Sequence, residues 1–508
     1  MRIVRGRTGG SRVQRARRVE IGGGMMEKPL RFVRMASGVH VVALMTQPFP
    51  CPGRCTFCPT SADAPKSYMP DSPVVLRAKR NRYDPYLQTA GRIKVYLENG
   101  HAPSKIEAVV MGGTFGALPR GYREWFVANV YKALNDFPQW APAADPAPDL
   151  EAEQLRNEAA ALRLVALAVE TRPDYVDGAE VDFLLRLGVT RVELGVQSIY
   201  DDVLQRVKRG HGVAEVAKAT ALLKDSAYKV CYHLMPGLPG SDPDRDLEMV
   251  REVFSDPRFM PDCVKIYPTY VVPGTELYEE WRRGAYKSYD EGTWLELLSK
   301  IYTSIPRWAR VMRLGRDIPL HHVVDGPRWG NIRQVVLRHM ERLGLRCREI
   351  RCREVGIRLA NNEPVQPGPV EVKKTEYEAS GGVEIFLEAV GPDDTLYAIL
   401  RLRIPGKPHR PELRRAALVR ELHVYGPAVP VGERGIWWQH MGLGRGLMAR
   451  AEEVAWEFGV SKIAVISGIG VREYYRRLGY SRCGPYMCKD LGAPLGYADD
   501  HLAPSESI

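Results

Sequence analysis

The sequence has no apolar run approaching the ~20 residues that a helix needs to cross a bilayer, and its opening residues lack the apolar core of a secretory signal. A membrane protein and an exported one are thereby disfavoured, and the expected location is the cytoplasm. Cysteine is scarce and odd in number, nine in 508 residues. In a reducing compartment such cysteines are expected as metal ligands or buried thiols rather than disulfides. Acidic residues are missing from the opening stretch "MRIVRGRTGGSRVQRARR", where seven arginines precede the first carboxylate, Glu20.

The composition that is present, 45 % hydrophobic and 26 % charged, is that of a globular protein rather than a disordered or fibrous one. At 508 residues the chain is too long for one typical domain. A net charge of +11 and a pI near 9.1 permit a polyanionic partner without identifying it. Residues 1–27 read as a flexible basic arm. It is a nucleic-acid-binding element, a solvated tail, or an over-extended start ahead of Met25 or Met26.

From residue 28 to 317, β-rich runs alternate with helical ones, the pattern of repeated βα units in a parallel sheet or barrel. The expected strands are 105–113, 163–172, 190–198, 228–237 and 263–271. Each is apolar inside and ends in polar or glycine residues, so their C-terminal ends should converge on one face. Helices such as "YREWFVANVYKALNDF" lie between them. The Pro-, Ala- and acid-rich stretch at about 137–160 reads as an exposed insertion ending in a helix, away from the chemistry. A basic connector at 318–369 carries Cys347 and Cys352. A smaller α/β segment follows at 370–490, and 491–508 reads as a loose tail.

Three cysteines crowd into "PFPCPGRCTFCP": Cys51, Cys55 and Cys58, spaced C-x3-C-x2-C. Zinc sites usually pair C-x2-C with a second, distant pair, so a zinc knuckle or three buried thiols remain as the weaker readings. The spacing resembles the cluster loop of the radical S-adenosylmethionine (SAM) superfamily. That resemblance implies a [4Fe–4S] cluster held by three thiolates, with the fourth iron open to SAM and a deoxyadenosyl radical as the product of reduction. Gly112, Gly113 and Thr114 in "MGGTF" match the place where this superfamily receives the methionine group. Gln197, Ser198 and His233 sit at later strand ends, facing SAM or substrate, or else serving ordinary turn chemistry.

The second segment contains "RELHVYGPAVPVGERGIWWQHMGLGRG", with Gln439, Gly442 and Gly444 before a helix. It resembles the pyrophosphate loop of GCN5-related N-acetyltransferases (GNAT), in which N–H groups at a helix start cradle coenzyme A phosphates. "LVRELHVY" is then the strand whose backbone pairs with the pantetheine arm. Tyr474 and Tyr475 are either catalytic or plain core aromatics.

Together, "RYDPYLQT", "VMGGTF", "VETRPDY", "ELGVQS", "KIYPTYVVPGTELY", "CREVGI" and "KIAVISGIGVREYYRRLGY" resemble the catalytic-subunit family of Elongator, tRNA uridine acetyltransferases, over nearly everything from Lys28 to Lys489. The resemblance implies an α/β fold class, a radical SAM partial (β/α) barrel followed by a GNAT-like α/β acetyltransferase domain. It also implies an acyltransferase that adds an acetyl-derived carboxymethyl group to C5 of the wobble uridine. The alternative is a lysine (protein or histone) acetyltransferase with a structural iron–sulfur domain. Implied cofactors and partners are the [4Fe–4S] cluster, SAM, acetyl-CoA, the tRNA anticodon stem-loop, an electron donor, and a homodimer or larger Elongator-like assembly. By position Lys105 matches a family acetyl-CoA contact, as do Glu421, Leu422, His423, Val424, Leu443, Gly444, Arg445 and Tyr475. Cys347 and Cys352 resemble a zinc site of some relatives. Glu349 stands where a middle cysteine would be, so zinc here would need Glu349, His321, His322 or His339 to complete it; otherwise the pair is two buried thiols.

Overall fold

The computed structural model describes residues 37–366, 368–426 and 442–492; the basic arm, Gln439 and residues 493–508 of the tail lie outside them. Seven strands build the first sheet: β1 His40–Met45, β2 Lys105–Met111, β3 Arg163–Thr171, β4 Arg191–Gln197, β5 Lys229–Leu234, β6 Cys263–Ile266 and β7 Arg310–Leu314. They run parallel in simple chain order. Alternate residues such as Ile106, Val110, Leu167, Val192, Leu194 and Val230 face the helices and form the main core. The other set faces inward. Lys265 of β6 reaches Glu170 of β3 at 3.1 Å, although two strands lie between them, so the sheet is curled into a partial barrel.

The second sheet comprises β8 Glu371–Ala379, β9 Gly382–Val390, β10 Leu396–Ile404, β11 Ala416–Val424, β12 Lys462–Val465, β13 Ser481–Cys483 and β14 Tyr486–Asp490. Its order is β13-β14-β12-β11-β10-β9-β8. One face packs Leu400, Leu402, Ala417 and Val419 against the helix Leu443–Glu457. The other face carries arginines into the barrel domain. Arg420 donates to both oxygens of Asp262, at 2.8 and 2.5 Å, and to Glu384 at 2.7 Å. Arg403 bonds Asp225 and Glu384, and Lys224 lies 3.2 Å from Glu384. All of these side chains are buried. Stripped of water, each charge is tolerated only because another offsets it.

Several expectations change. The strands β1 and β7 were not anticipated, and β6 ends at Ile266, well short of residue 271, just before Pro268. The 137–160 stretch is not simply exposed: Trp125 Nε1 donates to Asp145 O at 2.8 Å, and Trp140 Nε1 to Ala133 O at 2.8 Å. Its terminal helix, Leu150–Asn157, leads to buried Glu158, which bonds Arg472 and Arg476 of the second domain at 3.2 and 2.7 Å. The expectation of no disulfides is overturned too, since Cys347–Cys352 and Cys483–Cys488 are joined.

Arg420→Met should leave Asp262 and Glu384 buried without their main partner and cost about 3–5 kcal/mol, read as a lower midpoint in denaturant unfolding. Its neighbouring cations, Arg420 first, hold the Asp262 carboxyl far below the ordinary range in spite of burial. The contribution of Asp262 is therefore intact above about pH 4, and acid removes it only as pH falls through the depressed native value.

Candidate active site

The loop after β1 brings the cysteine triplet over the C-terminal end of the barrel. Cys58 N–H donates to Cys55 O at 3.2 Å, and Gly53 N–H to Cys51 Sγ at 3.4 Å. Gly53 has no room for a side chain: a Cβ there would lie 2.7 Å from Arg172 Nη1, and 3.5 and 3.6 Å from the sulfurs of Cys55 and Cys51. Arg209 Nη1 donates to Cys55 Sγ at 3.4 Å. The Cys55 thiol is pushed down to about 5, first by the hydrogen bond with Cys58 and further by Arg209 and Arg172. The three thiols, with Lys66, Arg172, Arg209 and Arg316, line a cavity of about 110 Å³.

The donor set fits an iron–sulfur cluster better than a single ion. Among the described residues, the triplet is absent from the sets of three metal-ligating atoms lying within 4.8 Å of one another, so its sulfurs are spread more widely than one ion's shell. It is also all sulfur, and ringed by cations that offset thiolate charge.

Around the same cavity stand Gly113, Thr114, Gln197 and His233. The turn after β2 needs its glycines. Gly112 has φ +137° and would drive a Cβ into Thr46 Oγ1, while Gly113 has φ +97°. Gln197 adopts φ +72°, and its buried Oε1 has no partner among the described residues. Ser198 is not in the lining; its Oγ accepts from Tyr200 N–H at 3.3 Å and shapes the turn. Beneath them Lys265 Nζ sits between Glu170 and Glu193, His233 Nε2 lies 3.1 Å from Glu193, and Tyr68 Oη donates to Glu170 at 2.8 Å. Apart from His233, none of these polar groups was singled out beforehand. An apolar strand carrying one ionisable residue, as in "CVKIY", is the signal that was there.

The second centre lies at the opposite end of the barrel sheet. β11 pairs with parallel β12 only over Ala416–Val419, and its register with β10 slips at Arg420, a bulge. Beyond the bulge, Glu421–Val424 stay in register with β10, while the pairing with β12 stops at Val419 among the described residues. Glu421 itself turns inward to Lys229 at 2.5 Å and Arg401 at 2.8 Å. His423 Nε2 lies 2.6 Å from Ser37 O, and Leu422 packs on the second core. Gly442, at φ +90°, opens the helix holding Leu443, Gly444 and Arg445. A Cβ on Gly444 would lie 2.9 Å from Tyr474 Oη and 3.6 Å from Val424 Cγ2, so these three converge. The Tyr474 hydroxyl is buried without a partner among the described residues, and burial raises its pKa. Tyr475 instead belongs to the core, edge-on to Tyr480.

Lys105 opens β2, at the end away from the cysteines, in register with Arg163. Burial lowers it to about 8. Gly470 of the second domain packs on Arg163, so Lys105 lies on the side facing that domain. The connector pair is corrected: Cys347 and Cys352 are bonded sulfur to sulfur, not thiols. Glu349 Oε1 lies 3.7 Å from Cys352 Sγ, while His321 and His322 bond Asp71 instead.

The Radical SAM superfamily model matches residues 50–253, and the Radical_SAM C-terminal domain matches 261–342. The chain is 48 % identical over 480 residues to the tRNA uridine(34) acetyltransferase of Methanocaldococcus infernus, covering 92 % of this chain and 88 % of that protein. It is 45 % identical to the Dehalococcoides mccartyi protein of the same name, covering 90 % and 99 %. It is 43 % identical to Elongator complex protein 3 of Saccharomyces cerevisiae, covering 90 % and 84 %. The solved archaeal Methanocaldococcus infernus Elp3 lacking residues 1–46 superposes with a TM-score of 0.78 at 46 % identity, covering 90 % of this chain and all of that one.

Cys55→Ala is expected to abolish the broad visible absorption of the anaerobically reconstituted protein while retaining its far-UV circular dichroism. Removing one small buried sulfur costs only about 1–2 kcal/mol.

Proposed function

The chain belongs to the family of tRNA uridine(34) acetyltransferases that includes Elongator complex protein 3, and from that premise we propose that it joins an acetyl-derived carbon to C5 of the wobble uridine, leading to carboxymethyluridine. It is an enzyme of the radical SAM type. Cys51, Cys55 and Cys58 would hold the [4Fe–4S] cluster, and the Gly112–Thr114 turn with Gln197 would receive SAM. Bound together, cluster and SAM supply hydrogen-atom abstraction from a carbon such as the acetyl methyl.

The remaining work falls to side chains and backbone. Arg172 and Arg209 balance the thiolates, and Lys265, clamped between Glu170 and Glu193, fixes His233 and Tyr68 around the cavity floor. The stretch Glu421–His423, past the end of the β12 pairing, suits the amides of a pantetheine arm, and the N–H groups of Leu443, Gly444 and Arg445 suit a pyrophosphate. Tyr474, kept protonated by burial, is placed to give a proton to the departing CoA sulfur. Lys105 would meet acetyl-CoA from the barrel side.

The observation that carries the reading is the convergence of Val424, Gly444 and Tyr474 on the same chain as the three-cysteine cavity, in domains joined by buried ion pairs. Its test is anaerobic incubation with SAM, acetyl-CoA, a reductant and tRNA. Carboxymethyluridine and 5′-deoxyadenosine are expected by mass spectrometry. Acetyl transfer to basic peptides with no response to tRNA would instead favour a protein acetyltransferase.

Lys105 adds a pH test. Acetyl-CoA affinity, measured by calorimetry, should weaken as pH rises through about 8, because the ammonium then loses its proton. Lys105→Met should bind more weakly and lose that inflection.

A further inference from the structure

Beside the cysteine cavity, at the edge strand β7, lies a larger open cavity of about 570 Å³. Arg316 lines both. Its Nη2 is anchored on Ser67 Oγ at 2.9 Å, whereas its Nη1 is buried without a partner among the described residues. The rest of the lining sets Arg313 beside the rings of His321, Tyr270 and Trp329. The carboxylates present are already engaged, Asp317 by Arg313 at 3.0 Å and Asp71 by His321 and His322. What the cavity offers a ligand is thus the unpartnered Nη1 of Arg316 beside a flat ring.

The surface leading away from it has the same character. Trp329 and Gly330 lead into the helix Ile332–Arg342, which buries Ile332, Val336 and Met340. Its outer side and the following connector expose Arg338, Arg342, Arg346 and Arg348, and Arg328 is exposed just before it. None of these five is ion-paired with a described residue. Elsewhere in the structure exposed arginines are commonly paired, as Arg258 is with Asp256 and Arg282 with Glu279. An unneutralised row of arginines leading to a cavity with an aromatic wall is how a single-stranded nucleic acid is held, with phosphates on the cations and a base stacked on a ring.

Resting on the function proposed above, we infer that this cavity takes the nucleotide adjoining the target uridine in a single-stranded RNA loop. Its base lies on Trp329, its phosphate at Arg313 and Arg316, and the flanking strand follows the Arg338–Arg348 row. Arg316, shared by both cavities, would then set the spacing between the held nucleotide and the reacting one.

The test uses the full-length reconstituted protein and an anticodon stem-loop RNA carrying 4-thiouridine beside the target uridine. Photocrosslinks are expected in segments 313–321 or 328–332, located by mass spectrometry; crosslinks confined to other segments overturn the assignment. In fluorescence anisotropy, Arg338→Gln/Arg342→Gln should flatten the dependence of log affinity on log salt by about two. Trp329→Ala should weaken binding about tenfold with the slope kept, and Trp329→Phe should restore most of the loss. Both sets within twofold of wild type, or a Phe variant as weak as the Ala one, overturn it. If the wild-type protein prefers the stem-loop no more than a duplex DNA of equal charge, the tRNA reading fails and takes this site with it. The other negative outcomes, in a protein that does bind the RNA, sink the site alone.

Discussion

Arg420, bonded at once to Asp262 of the barrel domain and Glu384 of its own sheet, is the interaction on which the arrangement of the two domains depends. Three further cations, Lys224, Arg401 and Arg403, and two further carboxylates, Asp225 and Glu421, share the same dry interface. Such a network adds little net stability over an apolar one of the same volume, because desolvation absorbs most of the Coulomb gain. Its value is geometric. An apolar interface tolerates sliding, whereas a one-residue slip here would leave several charges unpaired in a medium that does not solvate them. The bulge at Arg420 is part of the same device, since it turns the guanidinium toward Asp262 and parts β11 from β12. Domain docking and the parting of β11 from β12 thus share one irregularity.

A second constraint runs through the barrel. Closed parallel barrels usually fill their interiors with branched apolar side chains. Here the inward positions are largely ionisable: Glu107 pairs with Arg191, Arg191 with Glu193, Glu193 with Lys265 and His233, and Lys265 with Glu170. Cys231 and Cys263 lie in register between the two ends. The column begins near Lys229 and Glu421, beside the second domain, and finishes at the cysteine cavity. Each charge is compensated by its neighbour, so the interior stays polar without needing bulk water, and side chains on the cavity floor are fixed through partners on other strands.

How much of this could be read from the chain follows the reach of each interaction. The cysteine triplet, the glycine turn after β2 and five strands were legible because their signals are local: spacing, φ requirements, and apolar runs that stop at turn residues. β1 and β7 were missed because "HVVALM" is apolar on both faces and "RVMRL" is short and basic, so neither alternates clearly. Arg209 meets Cys55 from 154 residues away, and no spacing rule reaches that far. Tyr474 and Tyr475 are adjacent in sequence, yet one hydroxyl meets Gly444 while the other ring is core; a difference of about 100° around a short helix decides it. The 137–160 stretch misled for the converse reason. Its composition is that of a loop, but Asp145 O accepts from half-buried Trp125 and from Asn129.

The nine cysteines show how far environment outweighs residue type. Cys51, Cys55 and Cys58 stand in a cationic pocket, where the Cys55 thiolate is favoured and a metal cluster can be held. Cys231, enclosed in the barrel interior, is raised well above the usual thiol range by burial, which suppresses its nucleophilicity. Cys347 and Cys352 lie in the connector, and Cys483 and Cys488 on the paired strands β13 and β14, each pair five residues apart and close enough to join. Only the first group combines exposure to a cavity with guanidinium neighbours, and each of those guanidiniums is itself fixed: Arg172 by Asp174, Arg209 by Gly195 O and Arg316 by Ser67. The selectivity of the site for an anionic cluster therefore lies in arginines drawn from three different loops. Conservative replacement of any one by lysine would keep the charge but lose the second hydrogen bond that aims it.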